Sequence, residues 1–187
     1  FAEDSGLTED FSGYLSDIDE DDLTLTVSGN NNVTVDIIGF EVTFGALPDW
    51  HGTEILTFTV DDAQGRAIAS DDVDIIVTAV NDAPVLAVIT DTSTAEDTPL
   101  VLLLEATDVD EDILSYSATS EQPNNVSVEV TGDTLTMTPA PDFNGDVQIS
   151  VSVTDGEYTD NTVFTLTVMP VNDDPTIELP ESFIFAE

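Results

Sequence analysis

The segment Val80-Asn81-Asp82-Ala83-Pro84 occurs a second time as Val171-Asn172-Asp173-Asp174-Pro175. In both places an Asn-Asp pair follows a run of alternating apolar residues and precedes a proline. Proline fixes φ, removes a backbone donor and keeps the residue before it extended. The motif therefore predicts a stiff, extended connection, and its recurrence predicts a chain made of tandem units.

Four further motifs recur in the same order, and each first copy lies before the first connection. The chain also closes on Phe185-Ala186-Glu187, which repeats Phe1-Ala2-Glu3. The paired motifs are Phe1-Ala2-Glu3-Asp4-Ser5 with Thr94-Ala95-Glu96-Asp97-Thr98, Asp17-Ile18-Asp19-Glu20-Asp21 with Asp108-Val109-Asp110-Glu111-Asp112, Leu47-Pro48-Asp49-Trp50-His51-Gly52 with Ala140-Pro141-Asp142-Phe143-Asn144-Gly145, and Thr59-Val60-Asp61-Asp62 with Val153-Thr154-Asp155-Gly156.

These motifs predict where the domains begin and end. We expect repeat 1 at residues 1–80, a linker at 81–84 and repeat 2 at 85–171. Residues 172–187 should hold a second linker and the first strand of a following repeat. Repeat 1 lacks the first strand that residues 84–89 supply to repeat 2, and no targeting signal is present, so we expect a fragment of a longer chain.

Each period contains short apolar runs that alternate with polar residues, which is typical of half-buried strands. Gly, Asn and Pro clusters such as Ser28-Gly29-Asn30 and Thr131-Gly132-Asp133 separate the runs and predict turns. No segment has a helical period. Strands at this spacing in units of about 100 residues predict all-β, seven-strand sandwiches. The alternating runs are Leu56-Phe58-Val60, Val73-Ile75-Val77, Ile149-Val151-Val153 and Phe164-Leu166-Val168.

The charge of the chain is very one-sided. It has 40 Asp and Glu residues against a single basic residue, Arg66, for a formal net charge of -39. Such a surface repels nucleic acid and anionic lipid headgroups, and no apolar run is long enough to span a bilayer. Clustered carboxylates indicate a divalent cation. The alternative for the scattered acids is a solvated coat like that of halophilic proteins.

Catalysis is not expected. His51 is the one histidine and its repeat counterpart is Asn144, so the repeat assigns this position no imidazole chemistry. The chain has no cysteine, which excludes disulfides and thiolate metal sites. Paired carboxylates of the kind that hydrolyse glycosides remain the alternative, because acids are abundant. Trp50 and Phe143 precede a glycine in equivalent loops, and we expect them to pack on the core rather than form a sugar-binding platform.

The ordered set Ala-Glu-Asp, Asp-x-Asp, Pro-Asp-(Trp/Phe)-x-Gly, a late-loop Asp and Val-Asn-Asp-x-Pro resembles the cadherin-like tandem repeats of large bacterial surface proteins and adhesins. The resemblance covers essentially the whole chain, twice. It implies two tandem cadherin/immunoglobulin-like Greek-key β-sandwiches, an extracellular or cell-surface location and Ca²⁺ at each junction between repeats. Calcium takes 6–8 oxygen ligands, which carboxylates, Asn and backbone carbonyls supply.

Carried over residue by residue, the cadherin pattern implies one complete junction site in this chain. Half-sites are implied at the two ends, with Asp17, Asp19 and Asp62 at one and Glu96, Asp142, Asn172 and Asp173 at the other. The Asp-Arg-Glu motif of true cadherin linkers is missing, and Asp49 would substitute for it. The implied junction ligands are Glu3, Asp49, Asn81, Asp82, Asp108, Asp110 and Asp155.

We expect a structural or adhesive spacer whose partners are neighbouring repeats of the same protein. The alternative is a module that itself binds a cell-surface carbohydrate or protein. An exposed sheet edge is a template for pairing. Residues 177–185 could therefore complete repeat 1 of a neighbouring molecule, which would give head-to-tail association.

Overall fold

The computed structural model describes residues 1–65, 68–175 and 177–178. The chain divides into two compact units, Phe1–Asn81 and Asp82–Glu187, which we call unit 1 and unit 2 and describe separately. Arg66 lies outside the described residues, as does most of the predicted strand at 177–185. The domain boundaries set out above stay a prediction.

Unit 1 contains six strands and a single 3₁₀ turn, Phe11–Tyr14, among its described residues. Thr, Val, Ile and Phe dominate the strands, as expected for residues that suit a pleated, half-buried surface. The strands are β1 (Leu7–Asp10), β2 (Thr24–Ser28), β3 (Val33–Ile38), β4 (Glu41–Ala46), β5 (Gly52–Asp61) and β6 (Ile68–Val77).

The strands of unit 1 form two three-stranded antiparallel sheets. One sheet has the order β1-β4-β3, and the other has the order β2-β5-β6. Near the start of the chain, Ala2 forms a parallel bridge with Thr78 just after β6. The two sheets pack around a core that includes Leu56, Phe58 and Phe44. The edge strands β1 and β6 lie on opposite sheets.

Unit 2 repeats this arrangement and adds three short strands. Strands β9 and β11 to β15 correspond in order to β1 to β6, while β7, β8 and β10 are extra. The strands are β7 (Val85–Leu86), β8 (Thr92–Ala95), β9 (Leu100–Leu103), β10 (Ala106–Thr107), β11 (Ser115–Ser120), β12 (Val126–Thr131), β13 (Thr134–Pro139), β14 (Gly145–Thr154) and β15 (Thr159–Met169).

The sheets of unit 2 have the orders β12-β13-β9 and β11-β14-β15-β8, with a small pair β10-β7. Strand β8 pairs with β15 in parallel, from Thr92 opposite Leu166 to Ala95 opposite Met169. The first strand predicted over residues 84–89 is confined to Val85–Leu86. The chain then continues to β8, which pairs with β15 instead of β10, so the two short strands belong to different sheets.

The apolar alternation of the sequence corresponds to the observed cores. Val147, Ile149, Val151 and Val153 of β14 are almost completely buried, and the residues between them face outward or are only partly covered. No α-helix occurs in the described part of the chain. The predicted all-β class is confirmed, and the main sheets of each unit pack around a core as in a β-sandwich.

The loops before β5 and β14 are alike in both units. Trp50 and Phe143 pack partly against their cores, as expected. Gly52 and Gly145 follow with φ values of +145° and +140°, a conformation that L side chains rarely adopt. A Cβ atom at Gly52 would lie 3.2 Å from the Trp50 ring. Glycine is therefore required where the aromatic ring folds back over the chain.

Glu54 is a buried carboxylate inside unit 1, next to the β2–β3 turn. It accepts hydrogen bonds from the backbone N–H groups of Asn31 (2.8 Å), Asn32 (3.0 Å) and Val33 (2.7 Å). Burial would raise the pKa of Glu54, but these hydrogen bonds outweigh it and hold that pKa below its usual range. Val147 occupies the equivalent position of unit 2, where the backbone carbonyl of Gln122 accepts the N–H groups of Asn125 and Val126 instead.

Candidate calcium-binding loops

An aspartate-rich loop of unit 2 follows β10. Carboxylate oxygens of Asp108, Asp110 and Asp112 all lie within 4.8 Å of one another. The loop folds around Asp108, whose Oδ1 accepts the N–H of Asp110 at 3.0 Å and that of Asp112 at 3.2 Å. Glu111 between them has a φ of +60°, which bends the backbone so that both N–H groups point inward. We call these three residues the aspartate loop.

The second oxygen of Asp108 has an unusual environment. Oδ2 is buried and has no hydrogen-bond partner within the described residues. A buried carboxylate oxygen normally has a partner, because desolvation without one costs free energy. Among the described residues, Oδ2 therefore lacks the cation or hydrogen-bond donor that a buried carboxylate oxygen needs. A cation held by the three carboxylates would meet that requirement.

The same loop is built in unit 1. Oδ1 of Asp17 accepts the N–H of Asp19 at 2.8 Å and that of Asp21 at 3.2 Å. Glu20 has a φ of +60°, equal to that of Glu111. The Asp-x-Asp-x-Asp pattern therefore adopts the same loop conformation in both units.

Two further predicted ligands lie near the start and in a late loop of unit 2. The N–H of Asp82 donates to Oδ2 of Asp110 at 2.7 Å, which holds Asp82 against the aspartate loop. Asp155 lies between β14 and β15, where its Oδ1 accepts the N–H groups of Glu157 (2.7 Å) and Tyr158 (2.6 Å). The structure therefore brings Asp82, Asp108 and Asp110 together, and two hydrogen bonds of Asp155 close its own turn.

A second acidic cluster of unit 2 lies beside the end of β15. Carboxylate oxygens of Asp97, Asp142 and Asp173 lie within 4.8 Å of one another. Asp97 and Asp142 have φ values of +59° and +57°, and the N–H of Asp142 donates to Oδ1 of Asp97 at 3.3 Å. Short side chains such as Asp tolerate this left-handed conformation. We call these three residues the terminal triad.

Glu96 fixes the chain beside the terminal triad. It is buried, and its Oε1 accepts the N–H of Val171 at 2.5 Å. The nearby Asp142 carboxylate raises the pKa of Asp173, with smaller contributions from burial, Glu96 and Asp97. Negative charge is therefore concentrated enough to oppose ionisation of an exposed aspartate. A cation at this place would relieve the repulsion.

Unit 1 has an equivalent buried glutamate and an equivalent pair of aspartates. Glu3 is buried and its Oε1 accepts the N–H of Val80 at 2.7 Å, as Glu96 does with Val171. Asp4 and Asp49 have φ values of +55° and +57° and bring carboxylate oxygens within 4.8 Å of each other. His51 Nδ1 lies 3.5 Å from Glu3 Oε2. Asp49 therefore lies beside Asp4, the residue that follows Glu3, and Asn81 is the last residue of unit 1.

The donor set of these clusters suits calcium. Every side chain in the aspartate loop and in the terminal triad offers oxygen ligands. Calcium and magnesium bind oxygen, whereas zinc sites are built mainly from nitrogen and sulfur ligands. Mixed carboxylates in irregular loops suit the flexible coordination of calcium better than the strict octahedron of magnesium. The aspartate loop has the stronger case, since Asp108 Oδ2 is buried and finds no hydrogen-bond partner in the described part of the chain.

Three clustered residues were absent from the predicted ligand set: Asp4, Asp97 and Asp112. Each follows a predicted ligand or half-site residue by one or two positions. The sequence alone could have indicated these residues, because the last aspartate of the Ala-Glu-Asp and Asp-x-Asp-x-Asp motifs recurs in both repeats like the other acidic residues of each motif. The assembly of Glu3, Asp49, Asn81, Asp82, Asp108, Asp110 and Asp155 into a single site stays a prediction.

Comparison with known proteins supports the fold of the repeats. Residues 81–168 match the family model described as a bacterial Ig domain. Human protocadherin-24 EC1-2 has a similar structure, with a TM-score of 0.57 at 19% identity, over 83% of this chain and 86% of that one. The predicted likeness to cadherin- and immunoglobulin-like repeats is confirmed, and the surface or adhesin context stays a prediction.

Weaker structural similarity extends to part of an enzyme. An endo-fucoidan hydrolase from glycoside hydrolase family 107 matches with a TM-score of 0.38 and 20% identity, over 82% of this chain. The match spans only 24% of the hydrolase. No curated protein matches the chain. No helix in the described part of the chain has the length and apolar character needed to cross a membrane.

Proposed function

We propose that this chain is a calcium-binding structural repeat module of an extracellular bacterial surface protein. Calcium bound at the ends of its repeats would stiffen the junctions between them, and the rod so formed would hold a distal adhesive domain away from the cell. The observation that carries the proposal is the aspartate loop, in which three carboxylates converge and Asp108 Oδ2 is buried with no hydrogen-bond partner among the described residues.

Charge supports this proposal. Folding brings carboxylates together at both acidic clusters of unit 2 in a chain with a formal net charge of -39 and one basic residue. The one basic residue of the chain cannot neutralise both clusters, so a solvent cation is the available counterion. An ion at about 100 times its dissociation constant would stabilise the folded state by about 2.7 kcal/mol per site.

The ligand set proposed for the junction is the one that the cadherin resemblance implies: Glu3, Asp49, Asn81, Asp82, Asp108, Asp110 and Asp155. Asp112 joins it as a candidate through the aspartate loop. Extracellular calcium modules bind with dissociation constants of about 10⁻⁴ to 10⁻³ M. The module would therefore load with calcium outside the cell and remain pliable in the cytosol before export.

A non-catalytic role accompanies the proposal. The match to a bacterial Ig domain favours a structural module at the cell surface or in a secreted protein. The alternative, direct binding of a cell-surface carbohydrate or protein, would require an exposed aromatic platform or a similar site. The Trp50 ring packs partly against the core of unit 1, which leaves less of it for a sugar to stack on.

The test is a calcium titration followed by calorimetry and small-angle scattering. The double variant Asp108→Asn/Asp110→Asn keeps the size and most hydrogen-bonding capacity of the loop but removes two charges. Asp36→Asn/Glu129→Gln, at exposed positions of β3 and β12, removes the same charge elsewhere and serves as the control.

We expect millimolar calcium to raise the melting temperature of the wild type and of the control, with a longer and stiffer particle in scattering. The loop variant should lose most of both responses. A wild type that ignores millimolar calcium would reject the proposal and leave the acids as a solvated coat. Magnesium at the same ionic strength distinguishes specific binding from screening.

A further inference from the structure

Strand β9 is an edge strand of unit 2 with apolar side chains on its outward face. It pairs with β13 on one side, and no strand of the described residues pairs with its other side. Val101 is 57% exposed and Leu103 is 64% exposed, although both belong to a regular strand. Among the described residues, no other edge strand of the two larger sheets of unit 2 carries an exposed large apolar side chain.

The remaining side chains of β9 hold the strand in place. Leu100 and Leu102 pack against the core of unit 2. Pairing with β13 is continuous, from Leu100 opposite Met137 to Leu103 opposite Thr134. The outward apolar residues therefore belong to a strand that is fixed on its inner face and on one of its edges.

The backbone groups of the two exposed residues point away from β13. The N–H of Leu104 donates to the C=O of Asp133 at 2.7 Å, which continues the pairing of β9 with β13. Backbone groups alternate in direction along an antiparallel strand, so the N–H and C=O groups of Val101 and Leu103 face the open edge. The C=O of Glu105 follows the same direction, since it accepts a hydrogen bond from the chain just after β7 at 2.8 Å. Both exposed residues thus offer a donor and an acceptor to an added strand.

The equivalent edge of unit 1 is charged. The registers of β1 with β4 and of β9 with β13 place Thr8 and Asp10 where unit 2 has Val101 and Leu103. Glu9 and Asp10 give β1 two carboxylates, whereas β9 has no charged residue. Charges on an edge strand discourage pairing with another chain. The fold therefore permits an acidic residue at this edge, and unit 2 has an apolar one instead.

Charge restricts the kind of strand that can approach. The formal net charge of -39 makes two copies repel each other over most of their surfaces. The outward residues of β9 and of the paired part of β13 are Val101, Leu103, Thr134 and Thr136, and none of them is charged. Two copies can therefore meet here without setting carboxylates opposite each other. A basic partner would instead be drawn to the acidic clusters, where its charges are matched.

We propose that unit 2 pairs with unit 2 of a second copy of this chain through β9. The two β9 strands run antiparallel about a two-fold axis at Leu102, which sets Val101 of each copy opposite Leu103 of the other. Each of these residues then donates its N–H and accepts with its C=O across the contact. The contact joins the three-stranded sheets of the two copies into one sheet. It is isologous, so it closes as a dimer.

This contact goes beyond the proposed calcium-binding function and does not require calcium. It is small, because β9 has only four residues, and it is opposed by repulsion at low ionic strength. Salt at about 1 M reduces the Debye length to about 3 Å and removes most of this repulsion. Mass should therefore be measured by sedimentation and light scattering from micromolar to millimolar protein, in EDTA, at low salt and at about 1 M NaCl.

We expect the average mass of the wild type to double, and not to exceed twice the monomer mass, as concentration rises in high salt. The variant Val101→Thr/Leu103→Asp carries the residues of unit 1 at this edge and should stay monomeric. Val163→Asp is the matched control, because it replaces an exposed apolar residue of β15 by the residue that unit 1 has there, Asp72. It should dimerise like the wild type. A dispersed amide spectrum shows that each variant is folded.

Hydrogen exchange of the wild type gives a second readout that needs no variant. The amides of Val101 and Leu103 should exchange more slowly at millimolar than at micromolar protein in high salt, whereas the amide of Leu102 already faces β13 and should change little. A wild type that is monomeric at all concentrations in high salt would overturn the proposal. Association that continues past the dimer, persists in the double variant or leaves the two amides unprotected would also overturn it.

Discussion

The backbone N–H of Asp82 donates a hydrogen bond to Oδ2 of Asp110 at 2.7 Å. The N–H of Asp110 in turn donates to Oδ1 of Asp108. A carboxylate that is a candidate metal ligand therefore also holds the first residue of unit 2 in place. Loss of charge and loss of this hydrogen bond can be separated by the choice of substitution.

Asp110→Ala should destabilise unit 2 even without calcium, because it leaves the N–H of Asp82 without this acceptor. We expect a loss of about 1–3 kcal/mol in the free energy of unfolding. Asp110→Asn keeps an oxygen acceptor and should cost less. Urea denaturation in EDTA, followed by resolved amide signals of unit 2, measures both. Equal stability of the two variants would contradict this assignment.

Glu54→Gln should destabilise unit 1 at neutral pH by about 1–3 kcal/mol, because an amide is a weaker acceptor for three N–H groups. The pKa of Glu54 is lowered in the folded state, so its charge contributes stability above its ordinary value of 4.5. That contribution is lost as pH falls through the lowered pKa. The difference between wild type and variant should therefore shrink in acid.

Trp50 is the one tryptophan of the chain, so its fluorescence reports the unfolding of unit 1. Glu41→Gln, at an exposed position of β4, is the control and should change stability little. A difference between wild type and Glu54→Gln that grows as pH falls would show that the carboxylate is not held in its ionised form.

Asp173→Asn should have opposite effects with and without calcium. The pKa of Asp173 is raised mainly by the Asp142 charge, so ionisation of Asp173 opposes folding at neutral pH and ceases to do so in acid. In EDTA at pH 7 the variant should melt slightly higher than wild type, and this gain should disappear as pH falls. In calcium it should melt lower, because a ligand is lost.

Carbon-detected NMR titration of the Asp173 carboxyl would follow its pKa directly. Calcium should lower that pKa by replacing repulsion from Asp142 with attraction to the ion. Glu129→Gln, which changes the same charge on β12, should alter neither the titration of Asp173 nor the calcium response. An Asp173 titration that calcium does not shift would argue against an ion at the terminal triad.

Gly52→Ala should destabilise unit 1 by about 1–3 kcal/mol, because alanine is strained at a φ of +145° and its Cβ would crowd the Trp50 ring. A Cβ atom at Gly13 would meet no heavy atom within 4 Å, and the φ of Gly13 is not in the positive region. Gly13→Ala is therefore the matched control and should be nearly neutral. Thermal unfolding followed by Trp50 fluorescence compares the two.

The repeat and the alternating apolar residues were sufficient to predict the fold class. Alternation identifies which face of a strand points inward, and β14 follows it from Val147 to Val153. It does not show whether the space opposite that face is filled. Val73 satisfies the same pattern as Phe164 yet is much more exposed, although the two pair with the equivalent residues Leu56 and Ile149.

The candidate site was only partly predictable. Asp108 and Asp110 were selected because the Asp-x-Asp pattern recurs, while Asp97 and Asp112 were missed because the implied ligands followed the cadherin pattern too closely. Glu54 was missed because repeat comparison favours shared residues, and its counterpart is Val147. The sequence could still have indicated a role for Glu54. It lies two residues before the buried Leu56, so its charged side chain falls on the inward face of the strand.

The parallel pairing of β8 with β15 has a mechanical consequence. A pull on unit 2 that separates the start of β8 from the end of β15 slides the two strands past each other, so all their hydrogen bonds bear the load together. In single-molecule stretching we therefore expect unit 2 to resist this pull until these hydrogen bonds break together, and added calcium to raise the unfolding force.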